Sequence, residues 1–156
     1  MIELDIPGVG RHQLQHVVMD YNGTLAVDGV LLSGLDGLLG KLAGHLQLHV
    51  VTADTFGLAR RQLAGLPCRL TILPPGGHAQ AKQAYVRDLG PQHCVAIGNG
   101  RNDRLMLQEA LIGILLVQSE GAAVQSLQAA DIICRDARDA IALLLEPRRI
   151  VATLRD

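Results

Sequence analysis

An aspartate at the end of an apolar run is the first residue of this chain that could carry out chemistry. Asp20 directly follows Val17-Val18-Met19 and precedes a Gly23-Thr24 turn. A carboxylate in this position can attack phosphorus as a nucleophile. It can equally cap a helix or form an ion pair in a loop, and its position alone does not choose between these roles.

Two further residues could stabilise the oxygens of a phosphoryl group. Thr52 places a hydroxyl after the apolar pair Val50-Val51, where a threonine commonly caps the next helix. Lys82 lies near the start of a predicted helix, where a lysine is usually a solvated charge. A fixed cation offsets the charge on a transferring phosphoryl group, so these residues gain significance only in combination with Asp20.

The segment over residues 98–103 is rich in oxygen ligands. Its glycines permit a tight turn, and Asn99, Asn102 and Asp103 supply amide and carboxylate oxygens. Such hard ligands suit Mg²⁺ better than Zn²⁺. An ordinary glycine–asparagine turn capped by Asp103 has the same composition, so the segment alone leaves both interpretations open.

The apolar pattern predicts the strands that would bring these segments together. Short apolar strands alternate with helices, which is typical of a parallel sheet covered on both faces. Ligands of such sheets bind beyond the carboxyl ends of the strands, where Asp20, Thr52 and residues 98–103 are expected. The predicted strands cover residues 2–6, 14–19, 46–51, 68–73, 94–97, 112–117 and 132–134.

One hairpin and several helices are predicted between these strands. The hairpin covers residues 25–32 and turns at Asp28-Gly29; it could pack on its own domain or contact another subunit. Ser33 is predicted to cap a helix with leucines at 35, 38, 39 and 42 on one face. The other predicted helices cover residues 55–64, 79–89, 101–110, 121–129 and the tail from 137, with a break near Pro147.

In their order, these segments resemble the motifs of the haloacid dehalogenase-like (HAD) superfamily of phosphotransferases. Those motifs are Asp-x-Asp-Gly-Thr, a strand ending in Thr or Ser, a Lys, and Gly-Asp-x-x-x-Asp. The chain offers Asp20-Tyr-Asn-Gly-Thr, Thr52, Lys82 and the segment 98–103, and its strand–helix pattern extends the resemblance further. The first and last segments look most like the small soluble phosphatase-like proteins related to the phosphorylation domain of P-type ATPases.

The resemblance implies a fold, a cofactor and a set of roles. The fold would be α/β, a Rossmann-like three-layer αβα sandwich with a mostly parallel sheet, in a single domain over residues 1–156. Asp20 would form an aspartyl-phosphate, while Thr52 and Lys82 hold the phosphoryl oxygens. The ligands of Mg²⁺ would be Asp20, the backbone carbonyl of Asn22 and the side chain of Asp103, with help from Asn99.

The spacing of the motifs leaves no room for the cap domain that this family often inserts. Fewer than about 30 residues separate consecutive motifs early in the chain, whereas a domain usually needs more than about 50. An open site would admit water, accept a bulky substrate, or be closed by another subunit in a dimer or tetramer.

Two acids of the family pattern are amides in this chain. Asn22 stands where an Asp protonates the leaving group and later activates water, and an amide cannot exchange protons at physiological pH. Asn99 replaces the first Asp of the fourth motif and removes one negative charge near the metal. We therefore expect slow hydrolysis or a long-lived aspartyl-phosphate.

Three functions remain open at this stage. The first is a Mg²⁺-dependent phosphohydrolase or phosphotransferase acting on a small phosphorylated substrate or a phosphoprotein. The second is a regulatory or oligomeric interaction module that binds phosphate and Mg²⁺ but is impaired in turnover. The third, a receiver-type domain, fits poorly because its phosphoacceptor follows a middle strand, whereas Asp20 follows an early one.

The composition argues against nucleic acid and membranes as partners. The chain has 14 Lys and Arg against 15 Asp and Glu, so no basic surface is expected. Aromatic residues make up only 2%, which leaves no platform for stacking bases. No apolar run is long enough to span a bilayer. The separated Cys68, Cys94 and Cys134 predict buried free thiols in a reducing, cytoplasmic compartment.

Overall fold

The computed structural model describes all 156 residues. In chain order, the strands are β1 (Ile2–Ile6), β2 (Gly10–Leu14), β3 (His16–Met19), β4 (Ala26–Val27), β5 (Val30–Leu31), β6 (Gln47–Thr52), β7 (Cys68–Ile72), β8 (Cys94–Gly98), β9 (Ile112–Leu116) and β10 (Ile132–Cys134). The helices are α1 (Leu35–Ala43), α2 (Ala59–Gln62), α3 (His78–Leu89), α4 (Arg104–Glu109), α5 (Val124–Leu127), α6 (Ala137–Leu145) and α7 (Pro147–Leu154).

The centre of the molecule is a six-stranded parallel sheet in the order β10, β9, β8, β3, β6, β7. Strand β3 lies in the middle, and its Met19 is paired with Val50 of β6 and Ile97 of β8. These inner strands are apolar throughout because helices cover both of their faces. The predicted α/β class with a mostly parallel sheet is confirmed.

Two separate hydrophobic clusters pack on the two faces of this sheet. Successive residues of a strand point to opposite faces, so Val17 and Met19 join one cluster while Val18 joins the other. The first cluster contains 29 buried residues and includes the inner faces of α1 and α6. The second contains nine and packs beneath α3 and α4. The three-layer arrangement follows from these two interfaces.

The first predicted strand after Pro7 is divided in the structure. Leu14 ends β2, which pairs antiparallel with β1 in a separate two-stranded sheet. Only His16–Met19 enters the central sheet as β3. The apolar pattern of residues 14–19 did not reveal this division, because Leu14 and Val17 are both buried but in different sheets.

Three helix predictions were inaccurate at their starts. Ser33 does not cap α1; Gly34 is the N-cap, in a left-handed conformation and without a side-chain hydrogen bond. The helices predicted over residues 55–64 and 121–129 shorten to the single turns α2 and α5. Gly57 and Gly121 adopt φ values of 67° and 73°, and a left-handed residue cannot continue a right-handed helix.

The predicted hairpin after Asp20 is confirmed. Strand β4 pairs antiparallel with β5, and Asp28 and Gly29 both have positive φ values, 52° and 77°. Two such residues are what a type I′ turn requires. Between Asp20 and Thr52 the chain forms only this hairpin, α1 and β6, which leaves no room for a cap domain.

Two of the three cysteines are buried as predicted, and Cys68 is not. All three thiols are free, with Cys94 and Cys134 buried and Cys68 half-buried. No helix combines the length and the apolar character needed to cross a membrane.

Candidate active site

The carboxyl edge of the central sheet brings the predicted site residues together. Strands β6, β3 and β8 are adjacent and parallel, so the residues that follow them share one edge of the sheet. Asp20 follows β3, Thr52 ends β6, and residues 98–103 begin at the end of β8. Lys82 enters from helix α3, which packs over one face of the sheet.

Lys82 joins two carboxylates that lie far apart in the sequence. Its Nζ lies 2.6 Å from Oδ1 of Asp20 and 2.6 Å from Oδ1 of Asp103. Lys82 and Asp103 are completely buried, and Asp20 is 6% exposed. A lysine is almost never buried unless it is paired. The interpretation of Lys82 as a solvated helix charge is therefore wrong.

This cluster carries more negative than positive charge. Burial, followed by repulsion from Asp103, raises the pKa of Asp20 to about 7, although Lys82 acts in the opposite direction. Burial by itself would lower the pKa of Lys82, but the charges of Asp20 and Asp103 outweigh burial and raise it. Lys82 therefore stays charged. A further cation beside Asp20 would lower its pKa and favour the nucleophilic carboxylate.

The loop after β8 fixes the carboxylate of Asp103. Its Oδ2 accepts hydrogen bonds from the backbone N–H groups of Asn99 at 3.0 Å and Gly100 at 2.8 Å. Gly98 allows this close approach, since a Cβ at that position would lie 2.6 Å from the Asp103 side chain. Arg101–Asp103 forms a 3₁₀ turn that leads into α4. The loop thus presents an anchored acid to Lys82, which a mere surface turn would not do.

Thr52 is buried at the end of β6, with 1% of its surface exposed. Its Oγ1 accepts a hydrogen bond from the N–H of Asp54 at 3.0 Å. It does not cap the next helix, because the N–H groups of Leu58 and Ala59 donate to Oδ1 of Asp54. Leu58 is the N-cap of α2 and offers no side-chain cap, so the acceptor for these first N–H groups is Asp54, which no sequence motif had marked.

Asn22 has an unusual environment for an amide. Its Oδ1 is buried and has no hydrogen-bond partner. Burying an acceptor without a hydrogen-bond donor costs about 1–3 kcal/mol of folding free energy. Such unpaired atoms are found at functional sites, where a bound ion or water can supply the missing partner. No hydrogen bond links its side chain to Asp20.

Asn99 connects loops at the edge of the site. Its Nδ2 donates to the carbonyl of Gly121 at 3.0 Å, and its Oδ1 accepts from the hydroxyl of Thr24 at 3.3 Å. Gly23 packs so closely that a Cβ there would lie 2.3 Å from Nδ2. The side chain therefore holds the first motif against the fourth, and its role as a metal ligand stays a prediction.

No protein-family model matches the chain. A segment of 62 residues, 40% of the chain, is 45% identical to the uncharacterized protein MJ0073 of Methanocaldococcus jannaschii and covers 67% of it. That similarity gives no activity to compare.

Solved structures match over nearly the whole chain. The cobalt-bound deoxy-D-mannose-octulosonate 8-phosphate phosphatase of Haemophilus influenzae has a TM-score of 0.72 at 14% identity, covering 88% of this chain and 90% of its own. The related phosphatase of Moraxella catarrhalis, in complex with magnesium, phosphate and KDO, has a TM-score of 0.66 at 19% identity, covering 90% and 92%. A haloacid dehalogenase-like family protein of Streptococcus pneumoniae has a TM-score of 0.63 at 13% identity, covering 83% and 97%. This chain has the HAD fold.

At these identities the likeness establishes the HAD fold, and the activity has to be inferred from the site. The donor set fits a divalent cation. With both acids ionised, Asp20, Asp103 and Lys82 together carry one net negative charge, and carboxylates are hard oxygen ligands. The structure contains no cluster of three or more His, Cys, Asp or Glu side chains with metal-binding geometry, so the two carboxylates would need further oxygen ligands.

The hairpin of this HAD fold packs against its own domain beside the nucleophile. The hydroxyl of the buried Tyr21 donates to the carbonyl of Gly29 at 3.0 Å. Burial, with a contribution from Asp54, raises the pKa of Tyr21 to about 12. Of the two interpretations of the hairpin, packing on its own domain is therefore observed, although Val30 at its tip remains 54% exposed.

Gln118 is a site-forming residue that the sequence did not indicate. Its Nε2 donates to the carbonyls of Gly23 at 3.1 Å and Thr24 at 2.9 Å, and its Oε1 accepts from the N–H of Ala137 at 2.8 Å. A single glutamine after a strand has no diagnostic pattern. Only the packing of the HAD fold shows that it fixes the turn after Asp20.

The most prominent cavity of the molecule lies away from the candidate site. This cavity, of about 510 Å³, lies on the β1–β2 hairpin and is lined by residues such as Glu3, Asp5 and Arg11. None of its lining residues belongs to the cluster around Lys82.

Proposed function

We propose that this protein is a Mg²⁺-dependent phosphohydrolase or phosphotransferase that acts through an aspartyl-phosphate on Asp20. The observation that carries the proposal is the buried cluster in which Lys82 holds both Asp20 and Asp103. A structural ion pair does not need a second buried acid, since each uncompensated buried charge is costly. The Mg²⁺ and phosphate in the Moraxella catarrhalis structure of the same fold support the proposal.

The residues divide the reaction between them. An oxygen of Asp20 attacks the phosphorus of the substrate, the bond to the leaving oxygen breaks, and that oxygen takes a proton from water. Lys82 and the Thr52 hydroxyl hold the phosphoryl oxygens and offset their charge. Water then attacks the phosphorus of the aspartyl-phosphate, which releases phosphate and restores the Asp20 carboxylate.

The metal would be held by the carboxylates of Asp20 and Asp103 and by the backbone carbonyl of Asn22. When bound, Mg²⁺ supplies positive charge that offsets the phosphoryl oxygens. The raised pKa of Asp20 supports this assignment, because a cation there would relieve the repulsion between the two acids.

Asn22 makes the reaction slow. General acid–base help is typically worth about 100- to 10,000-fold, and an amide supplies none. The same feature favours a second candidate function, a regulatory module in which the aspartyl-phosphate persists, as in the P-type ATPases that the sequence resembles. The two functions differ only in how fast the aspartyl-phosphate is hydrolysed.

The open site points to a small phosphorylated molecule or a phosphoprotein as substrate. Three apolar residues are 43–54% exposed in the hairpin and in the loops after β6 and β9: Val30, Phe56 and Val117. We infer that a second subunit, in a dimer or tetramer, or the substrate itself covers them.

The three free cysteines support a reducing, cytoplasmic setting.

A single experiment separates these functions. Purified protein is incubated with Mg²⁺ and acetyl phosphate or p-nitrophenyl phosphate, and both the released phosphate and the acid-stable, hydroxylamine-sensitive protein phosphate are measured. Asp20→Asn is the matched control, since it keeps the size of the side chain and removes the nucleophile. Phosphate release indicates the enzyme, and retained aspartyl-phosphate indicates the module. If wild type gives neither product, the proposed function fails.

A further inference from the structure

Asp54 has a backbone conformation that its own turn does not require. Its φ is 51°, in the left-handed region that residues with a side chain rarely adopt. The only other non-glycine residue with positive φ is Asp28, where the type I′ hairpin turn demands it. Such strained residues cluster at functional sites, and Asp54 lies two residues after Thr52.

The conformation of Asp54 directs its backbone N–H toward the site. That N–H donates to Oγ1 of Thr52 at 3.0 Å, and Thr52 is buried at the end of the strand beside β3. Because the hydroxyl oxygen already accepts this bond, its hydrogen has to point in another direction. The Thr52 hydroxyl is thereby presented as a donor at the edge of the sheet that carries Asp20.

The side chain of Asp54 stabilises this backbone conformation through hydrogen bonds to the residues at the start of α2. Its Oδ1 accepts from the N–H groups of Leu58 at 3.1 Å and Ala59 at 3.0 Å. Ala59 is completely buried and belongs to the larger core cluster. The start of α2 is therefore a fixed anchor, and Asp54 connects that anchor to Thr52.

The same loop is pressed against the hairpin beside the nucleophile. A Cβ at Gly29 would lie 2.7 Å from Cβ of Phe56, and the carbonyl of Gly29 accepts from Tyr21. The loop of Asp54 is thus confined between the core and the hairpin, so its backbone has little freedom to relax.

We propose that Asp54 is a positioning residue that holds the Thr52 hydroxyl as a hydrogen-bond donor to the transferring phosphoryl group. The role of the hydroxyl rests on the proposed function, whereas its orientation by Asp54 does not. Aspartate suits the position because it tolerates the left-handed region and also offers an acceptor; asparagine shares both properties.

The orientation is tested without substrate, by following the methyl resonance of Thr52 by NMR in wild type, Asp54→Asn and Asp54→Ala. We expect the Thr52 methyl shifts and side-chain rotamer to be retained in Asp54→Asn and altered in Asp54→Ala. Asp54→Gly, which tolerates positive φ but lacks the acceptor, replaces Asp54→Ala if that variant does not fold. An unchanged Thr52 methyl in the variant without the acceptor overturns the proposal, whatever the activity.

The catalytic part is tested by a double-mutant cycle with Thr52→Val, using p-nitrophenyl phosphate and Mg²⁺. Asp54→Ala should lower kcat/KM by at least about tenfold in wild type, as expected for a misplaced oxyanion donor. In the Thr52→Val background it should lower kcat/KM by less than about twofold, because the hydroxyl is already absent. An equal loss in both backgrounds refutes the positioning role. Inactive wild type with an altered Thr52 methyl in Asp54→Ala would refute the proposed function and support the orientation by Asp54.

Discussion

The ammonium of Lys82 lies 2.6 Å from Oδ1 of Asp20, and both groups are almost completely withdrawn from water. Since Asp103 lies at the same distance from that ammonium, one cation serves two acids. The arrangement stores electrostatic strain at Asp20, because Asp103 keeps the stronger set of hydrogen bonds through Asn99 and Gly100. Removing the charge of Asp20 should therefore stabilise the protein, whereas removing the charge of Asp103 should destabilise it.

Asp20→Asn should stabilise the protein while it abolishes phosphoryl transfer. Burial and repulsion from Asp103 raise the pKa of Asp20 to about 7, so a neutral amide of the same shape avoids an unfavourable charge. At about pH 8 without Mg²⁺, we expect a gain on the order of 1–3 kcal/mol in the free energy of unfolding. Urea denaturation measures it. Asp103→Asn is the contrasting variant and should be destabilised; a loss of stability in Asp20→Asn would contradict the strain at this residue.

Lys82→Met should be strongly destabilising. It leaves Asp20 and Asp103 buried without their shared cation, and removing one partner of a buried ion pair typically costs about 3–5 kcal/mol. Chemical denaturation at about pH 8 gives the value. Lys41, the other lysine, is exposed on α1, so Lys41→Met is a matched control expected to have little effect. Similar losses in both variants would show that the buried cluster has no special contribution.

The buried histidine His49 should make stability fall in mild acid. Its Nδ1 lies 3.0 Å from the Tyr85 hydroxyl and its Nε2 lies 3.2 Å from Nδ1 of His16. Burial, with nearby His16 and Arg69, lowers the pKa of His49 to about 4. Since the unfolded chain then binds more protons than the folded protein between about pH 6.5 and pH 4, this contribution is complete above that window and decreases as the pH falls through it.

The size of this effect is at most about 3 kcal/mol. It is isolated by comparing wild type with His49→Gln in urea at about pH 7.5 and about pH 5, since the titration of Asp20 is common to both proteins. Wild type should lose more stability than His49→Gln over this interval. Parallel losses in the two proteins would contradict a neutral, buried His49.

Asn22→Asp should speed the hydrolysis of the aspartyl-phosphate. The substitution restores a group that can exchange protons, and such help is worth at least about 100-fold in favourable cases. Single-turnover release of phosphate from the phosphorylated protein measures the step directly. Asp20→Asn combined with Asn22→Asp should be inactive. An unchanged rate in Asn22→Asp would show that Asn22 does not set the lifetime of the intermediate.

Asn99→Asp should tighten Mg²⁺ binding and weaken the metal-free fold. The added negative charge favours the cation, but the carboxylate would face the carbonyl of Gly121, which now accepts from Nδ2. We expect a loss of about 1–3 kcal/mol in the metal-free free energy of unfolding. Calorimetric titration and denaturation measure the two effects. Asn102→Asp adds the same charge in the same loop, so equal tightening in both variants would count against a local role of Asn99.

The central fold was predictable from the sequence because parallel strands buried on both faces form continuous apolar runs. Most strand boundaries agree within a residue, and Asp20, Thr52 and residues 98–103 lie at the predicted edge of the sheet. The predictions failed at residues 14–19 and at α2 and α5. In those segments backbone conformation and pairing, not hydrophobic periodicity, decide where an element begins.

The sequence by itself determined which residues follow the strands, and so which side chains meet at one edge of the sheet. Only the tertiary structure decided how they are connected. Lys82 contacts an acid 62 positions away, and Gln118 holds a turn 95 positions away. Asp54, and not Thr52, accepts the hydrogen bond from the N–H of Leu58 before α2. The side-chain amide of Asn99 is hydrogen-bonded to Gly121 and Thr24. The local sequence pattern shows only which face of each helix or strand is buried. These contacts depend instead on the distances between helices and strands, which are set by the packing of the core.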